Sequence, residues 1–323
     1  MQIDEDDLLG MLLTPMLYIN SKRSRWNMNS KKRRKSDTRF VAIVLTPAIA
    51  YFVLVYYYPA IMNIYYMFCD YNLIKKPVFV GMKNIVRLFH DEIAWGAFRN
   101  TFIITIVSVP LVIIFAILIS MILFSLKRFS GFFRSAIFAT YLTSLVVAAI
   151  VFKSWFGSEL GFLNGILVQL GMDKVPWLSQ PGTAMFAVIV LSVWKYIGYY
   201  VVIFLAGFSN INRDLYEAAE IGGANGTQRF FSITIPQLKP TIEYSSIIAT
   251  ITFLRSYPTV LVLTKGGPYS STQTVVMYMF EQGFHSRNVG YASVISMALI
   301  IVILILTLLQ MKLSGTFQGE SEV

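Results

Sequence analysis

The chain has 323 residues, of which 56% are apolar and only 14% are charged, and its formal net charge is +10. A soluble domain is about 45–50% apolar and about 25% charged, so this composition excludes an ordinary soluble protein. The apolar residues are clustered in long runs, which predicts an all-α protein that crosses a membrane several times. The single cysteine, Cys69, excludes an intrachain disulfide, and the two histidines are too far apart to indicate a metal site.

Residues 1–39 are predicted to be a basic cytoplasmic tail. Nine basic residues lie between Lys22 and Arg39, directly before the first apolar run. Such a cluster is typical of an anchor beside anionic membrane lipid, and no nucleic-acid-binding fold accompanies it. The acidic start and the interruption of the early apolar run by Pro15 argue against a cleaved signal peptide. Leu8–Tyr18 is a candidate interfacial helix.

Six apolar segments are each long enough to form a membrane-spanning helix. About 20 apolar residues cross the hydrocarbon core, and continuous runs of this length exclude the strands of a barrel. We therefore predict a transmembrane domain over residues 40–313 and a short cytoplasmic tail over 314–323. The segments are Val41–Met62, Phe102–Phe124, Ser135–Trp155, Ala184–Phe208, Ile242–Leu263 and Tyr291–Met311.

The basic residues outside these segments predict the orientation. With the N-terminus in the cytoplasm, sixteen lysines and arginines lie on the inner side and eight on the outer side. Cytoplasmic loops carry the excess of basic residues, so both termini are predicted to be cytoplasmic.

The predicted inner connection between spans four and five, residues 209–241, is long and polar. Asn212 or Asp214 can cap a first helix. The Gly222–Gly223 pair predicts that the chain leaves this helix through a residue of positive φ. A second short helix follows, and Pro236 ends the segment ahead of span five. Long structured connections of this kind are usually functional.

This segment, residues 212–240, resembles the EAA loop of bacterial binding-protein-dependent ABC importers. Gly222 stands where the family pattern usually has Asp, and the rest of the pattern is kept at the family spacing. The small alanines would let another protein surface approach closely. The matching residues are Glu217, Ala218, Ala219, Gly223, Ala224, Phe230, Ile233 and Pro236.

The resemblance implies a permease subunit of the bacterial inner membrane with no catalytic site and no cofactor of its own. The loop would be a coupling helix that docks on a cytoplasmic ATPase, and ATP and Mg would be bound by two such ATPase subunits. The other implied partners are a second, homologous permease that forms a heterodimer and an extracytoplasmic solute-binding protein. The chain itself contains no phosphate-binding loop of the G-x-x-x-x-G-K-[S/T] type.

Three further stretches resemble the maltose-type, carbohydrate-uptake branch of this family. They are Phe79–Asn84, the pair Asn100–Thr101, and Leu263–Pro268 together with Thr272. With the loop, these stretches cover roughly residues 40–313 in the family order. The resemblance therefore implies transport of oligosaccharide by alternating access, and a permease for a non-sugar solute is the alternative.

A substrate pathway is predicted from polar residues inside the spans. Charged residues at membrane depth usually face a bundle interior or a water-filled cavity, and aromatic rings and hydroxyls suit sugar recognition. Two cations without an evident acidic partner also raise the hypothesis of an acidic, uronate-type oligosaccharide. The predicted residues are Lys195, Tyr196, Tyr199, Tyr200, Arg255 and Tyr257.

Two other classes of membrane protein fit the sequence poorly. A secondary transporter would show internal repeats, broken helices or an intramembrane acid for ion coupling. An integral-membrane enzyme would need paired carboxylates, a His/Cys cluster or an activated nucleophile at membrane depth. Neither pattern is present in the sequence.

Overall fold

The computed structural model describes residues 43–126, 128–159 and 161–314. The predicted basic tail, its candidate interfacial helix and residues 315–323 of the C-terminal tail lie outside these ranges. The chain divides into two compact units, the first ending at Asn63 and the second beginning at Ile64.

The first membrane-length helix, α1, runs over Ile43–Tyr66 and contains a π-helical turn at Val53–Tyr57. Its apolar side chains are exposed, as Ile43 and Leu54 illustrate. An apolar helix of this length is suited to a lipid environment, because all its backbone groups are satisfied within the segment.

The second unit is helical, and the all-α prediction is confirmed. Its described strands are only β1 (Cys69–Asp70) and β2 (Val78–Phe79), which pair antiparallel with Cys69 opposite Phe79. Its helices are α2 (Lys83–Phe89), α3 (Glu92–Ser125), α4 (Ser130–Leu142), α5 (Leu145–Trp155), α6 (Phe162–Gln169), α7 (Pro181–Ser209), α8 (Arg213–Ile221), α9 (Gly226–Arg229), α10 (Ile235–Leu254), α11 (Pro258–Leu263), α12 (Val275–Phe280) and α13 (Val289–Ser314). Two π-helical turns, Phe230–Thr234 and Glu281–His285, follow α9 and α12.

Four helices of the described chain are long and apolar enough to cross a membrane, namely α1, α3, α7 and α13. The pair α4 and α5 qualifies together as a fifth candidate span. The remaining predicted span, span five, corresponds to α10 and α11, and α10 carries Lys239 and Glu243 in its first half. The count of six spans therefore stays a prediction.

Two of the predicted spans are broken rather than continuous. Span three, predicted as one helix over Ser135–Trp155, is bent by 94° between α4 and α5, where Thr143 and Ser144 are extended. Span five, predicted over Ile242–Leu263, is broken between α10 and α11. Pro258 explains the second break, because a proline disfavours the helical conformation of the residue before it.

Helix α7 is the central helix of the second unit. In its apolar window 61% of the residues are buried, against 39% in α3 and 28% in α13. It packs on α3, α4 and α10, and Ser120 of α3 donates a hydrogen bond to the carbonyl of Val201 at 3.0 Å. The largest buried side chains at this contact include Tyr200 and Phe204.

A carboxylate ties the start of α3 to the helices that follow in sequence much later. The Asp91 side chain accepts hydrogen bonds from the backbone N–H groups of Ile93 and Ala94, both at 3.0 Å, and so caps α3. It also accepts the hydroxyls of Tyr278 at 2.6 Å and Tyr291 at 2.5 Å. One short side chain therefore joins α3, α12 and α13.

These contacts make the protonation of Asp91 matter for stability. Burial alone would raise the pKa of the Asp91 carboxyl, but the two tyrosine hydroxyls and the two backbone N–H groups outweigh burial and hold this pKa below its ordinary value. A depressed carboxyl pKa stabilises the fold above the unfolded-state pKa of about 4. This stabilisation is lost as the pH falls through the lower folded-state pKa.

We expect Asp91→Asn to lower the melting temperature of the detergent-solubilised chain most at pH 6–7. The difference from the wild type should begin to shrink below about pH 4, where the carboxyl of the unfolded chain takes up a proton, and should vanish below the lower pKa of the folded state. Tryptophan fluorescence during thermal unfolding would measure the melting temperatures of the variant and the wild type at each pH. Asp173→Asn is the matched control, because Asp173 is exposed. Parallel pH profiles for Asp91→Asn and the wild type would contradict this account.

Candidate functional site

The predicted loop between spans four and five begins with helix α8. The Asn212 side chain caps it by accepting the backbone N–H of Asp214 at 3.1 Å, so Asn212 rather than Asp214 is the capping residue. The chain leaves α8 through Gly223, whose φ is +76°, as the glycine pair predicts. At this position glycine avoids the steric penalty that a Cβ would impose.

The second helix of the loop, α9, is short and strongly capped. Asn225 and Gln228 form a reciprocal capping box with two hydrogen bonds of 2.8 Å. The π-helical turn Phe230–Thr234 then leads directly into α10. The Tyr216 hydroxyl of α8 lies 2.8 Å from the Thr234 hydroxyl, which fixes the first helix of the loop against this turn.

The loop has two faces of different character. Tyr216, Phe230 and Ile233 pack against the buried cluster that contains α7 and α3. On the other face Glu217 and Ala218 are exposed. Among the remaining predicted coupling residues, Gly223 and Pro236 are exposed, whereas Ala219 and Ala224 are partly buried. The loop is therefore anchored to the bundle on one face and open to a partner on the other.

The ammonium of Lys195, in the middle of α7, binds the break between α4 and α5. Lys195 is only 7% exposed, and its Nζ donates to the backbone carbonyls of Thr140 at 3.2 Å, Thr143 at 2.6 Å and Tyr141. The C-terminal carbonyls of a helix lack partners within the helix and attract a positive charge. In this conformation Lys195 therefore satisfies backbone groups that would otherwise be unpaired at the break.

The same face of α7 carries a close approach to α4 one turn later. A Cβ built on Gly198 would lie 2.3 Å from the carbonyl oxygen of Ile137 and 2.9 Å from the Thr140 hydroxyl. Any side chain at this position would push α4 away from α7. Gly198 thus permits the contact that Lys195 stabilises.

The three predicted tyrosines of α7 lie together but differ in exposure. Tyr200 is 1% exposed, and Tyr196 and Tyr199 are partly buried. The rings of Tyr199 and Tyr141 are tilted by 34° with their centroids 5.1 Å apart, and Tyr196 meets Phe253 of α10 edge-to-face at 5.6 Å. Tyr141, which lies in a different predicted segment and was not among the predicted residues, contacts two of these tyrosines.

The remaining predicted pathway residues, Arg255 and Tyr257, lie at the break between α10 and α11. Arg255 is exposed, and no described carboxylate lies within ion-pair distance of it. Both residues line a cavity of about 560 Å³ between α10, α12 and α13. The structure thus separates the predicted pathway into an α7 group, in which Lys195 is bound by carbonyls, and an Arg255 group at the second break.

Comparisons with known proteins agree on one class of membrane protein. The family described as "Binding-protein-dependent transport system inner membrane component" matches residues 94–314. The chain is 34% identical over 306 residues to the arabinooligosaccharides transport system permease protein AraP of Bacillus subtilis, covering 93% of this chain and 95% of that protein. It is 34% identical over 275 residues to the lactose transport system permease protein LacF of Rhizobium radiobacter, covering 83% and 91%.

A solved structure has the same fold. It is a chain of a bacterial ABC transporter involved in the import of the acidic polysaccharide alginate, with a TM-score of 0.77. The match covers 88% of this chain and 98% of that chain at 24% identity.

We expect Lys195→Met to destabilise the chain, because it leaves three backbone carbonyls at the break without a donor. An unsatisfied buried polar group costs about 1–3 kcal/mol, so the melting temperature in detergent should fall clearly. Lys153→Met is the matched control, since Lys153 is exposed on α5, and its melting temperature should stay that of the wild type. Unchanged stability of Lys195→Met together with loss of substrate transport would instead assign Lys195 to the substrate.

Proposed function

We propose a function for this chain from the family to which it belongs, the inner membrane components of binding-protein-dependent transport systems. The chain acts as one permease subunit of an ATP-driven importer that moves oligosaccharide across the bacterial cytoplasmic membrane by alternating access. Both of its termini lie in the cytoplasm. The observation that carries this function is the two-faced loop of α8 and α9, which is anchored to the bundle and exposes Glu217 and Ala218.

The loop is the proposed contact with the ATPase. It directly follows α7, the central helix, so a displacement of α8 reaches the buried core through three residues, 210–212. Two cytoplasmic ATPase subunits bind ATP and Mg and supply the energy. A second, homologous permease completes the pathway, and an extracytoplasmic solute-binding protein delivers the cargo.

Oligosaccharide is the proposed cargo because relatives that cover most of this chain are named for arabinooligosaccharides and lactose. A uronate-type, acidic oligosaccharide is the second candidate, and the exposed guanidinium of Arg255 favours it, since it pairs with no described acid and lines a cavity with Tyr257. A guanidinium binds a carboxylate through paired hydrogen bonds. Lys195 supports acidic cargo less, because backbone carbonyls already surround its ammonium.

The docking face of the loop gives a direct test. We expect Ala218→Trp to abolish association with the ATPase, because a large side chain replaces a small exposed one where a partner surface must approach. The stability of the permease itself should not change, since Ala218 is exposed. Co-purification of the ATPase and the melting temperature of the permease measure the two effects. Ala218→Ser is the matched control and should retain the ATPase, and full binding by Ala218→Trp would place the contact elsewhere.

The cargo can be identified with the complete complex in liposomes. ATPase activity is measured with the binding protein and one of arabinotriose, maltotriose or a uronate trisaccharide. We expect stimulation by at least one of these sugars, because the importer couples hydrolysis to loaded binding protein.

Arg255→Gln separates neutral from acidic cargo in the same assay. If the cargo is acidic, this variant should lower stimulation by the uronate trisaccharide at least about tenfold, the size of a lost charge-assisted hydrogen bond, with little change for any neutral sugar. Equal effects on all sugars would remove the acidic candidate. No stimulation by any sugar in a complex that hydrolyses ATP would overturn the carbohydrate assignment.

A further inference from the structure

A second polar cavity lies beside the one that contains Arg255, and none of the predicted pathway residues except Tyr257 lines it. Its volume is about 490 Å³, within the range of about 300–1,000 Å³ that is typical of small-molecule sites. It is formed by α11, α12, the π-helical turn after α12 and the connection between α11 and α12. The side chains used below are Tyr257, Lys265, Gln273, Phe280 and Glu281.

The connection that forms one wall of this cavity is rigidly held. The Asn100 amide of α3 donates to the carbonyls of Ser270 at 2.8 Å and Gln273 at 3.1 Å. The fully buried Thr272 donates to the carbonyl of Gly267 at 2.8 Å. Thr274 donates to the carbonyl of Ser256 at 2.8 Å and so joins this connection to the break before α11. The wall is therefore built by contacts that are independent of any ligand.

One polar atom in the cavity wall lacks a partner. Gln273 is 7% exposed, and its Nε2 donates to the Glu281 carboxylate at 2.8 Å. A carboxylate only accepts hydrogen bonds when ionised, so this contact fixes which end of the amide is the nitrogen. The Oε1 atom is then the other end, and it is buried without a hydrogen-bond partner among the described residues. A buried acceptor in this state is commonly satisfied by a water molecule or a ligand.

Two of the side chains that line the cavity are aromatic. The rings of Tyr257 and Phe280 lie 5.3 Å apart and are tilted by 33°, and both line the cavity. The apolar faces of sugar rings pack on aromatic rings, while their hydroxyls donate to amide and carboxylate oxygens. A cavity lined by two aromatic rings, a carboxylate and a glutamine with an unpartnered amide oxygen therefore suits one ring of a carbohydrate.

We propose that this cavity is a carbohydrate subsite, in which a sugar hydroxyl donates to Gln273 Oε1 and the sugar ring packs on Tyr257 and Phe280. This inference rests on the proposed function and adds a place on this chain where one ring of the oligosaccharide binds. Tyr257 also lines the neighbouring cavity that contains Arg255. The two cavities thus form consecutive positions for adjacent rings of one oligosaccharide, with Tyr257 between them.

Protection of an introduced thiol tests this subsite in the complete complex. The natural Cys69 is fully buried, and Cys69→Ala removes it as a background. Ser270→Cys then places a thiol in the cavity wall, and a membrane-impermeant thiol reagent is applied to liposomes with and without arabinotriose, maltotriose or the uronate trisaccharide. We expect the sugar that stimulates the ATPase to slow modification at least about threefold. Ser179→Cys is the control, since Ser179 is exposed outside the cavity, and its modification should not change.

Gln273→Leu gives a second reading, because it replaces the amide with an apolar group of similar size and so removes the acceptor together with the donor to Glu281. It should abolish the protection of Ser270→Cys and lower uptake about fivefold to tenfold, the size of one lost hydrogen bond. Gln282→Leu is the matched control, since Gln282 lies outside the cavity wall, and it should leave uptake unchanged.

The outcomes separate this subsite from the proposed function. Suppose that the complex transports a sugar, but the sugar does not protect the thiol of Ser270→Cys and Gln273→Leu transports it normally. This result overturns the subsite and leaves the importer function standing. If the second permease alone, without sugar, protects the thiol of Ser270→Cys from the reagent, the cavity is a subunit contact. This result likewise overturns the subsite. Absence of uptake for every sugar by the wild-type complex overturns the proposed function, and the subsite with it.

Discussion

Three hydrogen bonds from the Lys195 ammonium to the carbonyls at the break between α4 and α5 form the interaction on which the arrangement of the bundle depends. Inside a membrane every backbone polar group must be satisfied by the protein, so a broken helix is tolerated only where neighbouring groups bind the freed carbonyls. One lysine supplies three donors from a single side chain. Gly198, one turn further along α7, leaves the space in which the end of α4 can approach closely enough for these bonds to form.

At the second break, between α10 and α11, a freed backbone carbonyl is also bound by a side chain, but here the donor is a neutral hydroxyl. Thr274, 18 residues further along the chain, donates to the carbonyl of Ser256 between α10 and α11. The two cations predicted for the pathway, Lys195 and Arg255, lie at different breaks and have different surroundings. Lys195 is bound by the backbone at its break, whereas Arg255 at the other break is exposed beside a cavity. The positions of the breaks therefore determine which charged groups are available to a ligand.

Much of the architecture could be predicted from the sequence because its signals are local. The apolar segments, the positive φ of Gly223 and the capping of α8 all depend on residues close in sequence, and the family resemblance based on the loop is confirmed. The breaks were missed for different reasons. Pro258 marks the second break and was a readable signal, whereas Thr143 and Ser144 carry no proline or glycine.

The contacts of Lys195 and the cavity at Gln273 could not be predicted from the sequence. Lys195 lies more than fifty residues from its carbonyl partners. Every residue has a backbone carbonyl, so the sequence does not indicate which carbonyls a lysine will bind. The cavity combines Gln273, Glu281 and Tyr257, which lie on three different elements, and its frame depends on Asn100 of α3. Only tertiary structure brings these groups together.

The contact between α7 and α4 also links two distant parts of the fold. The hydrogen bonds of Lys195 and the close packing at Gly198 join the middle of α7 to the break between α4 and α5, and the C-terminal end of α7 continues within three residues into α8. One continuous helix therefore holds the break at its middle and leads into the exposed loop at its end. The break cannot move away from α7 unless these hydrogen bonds are broken.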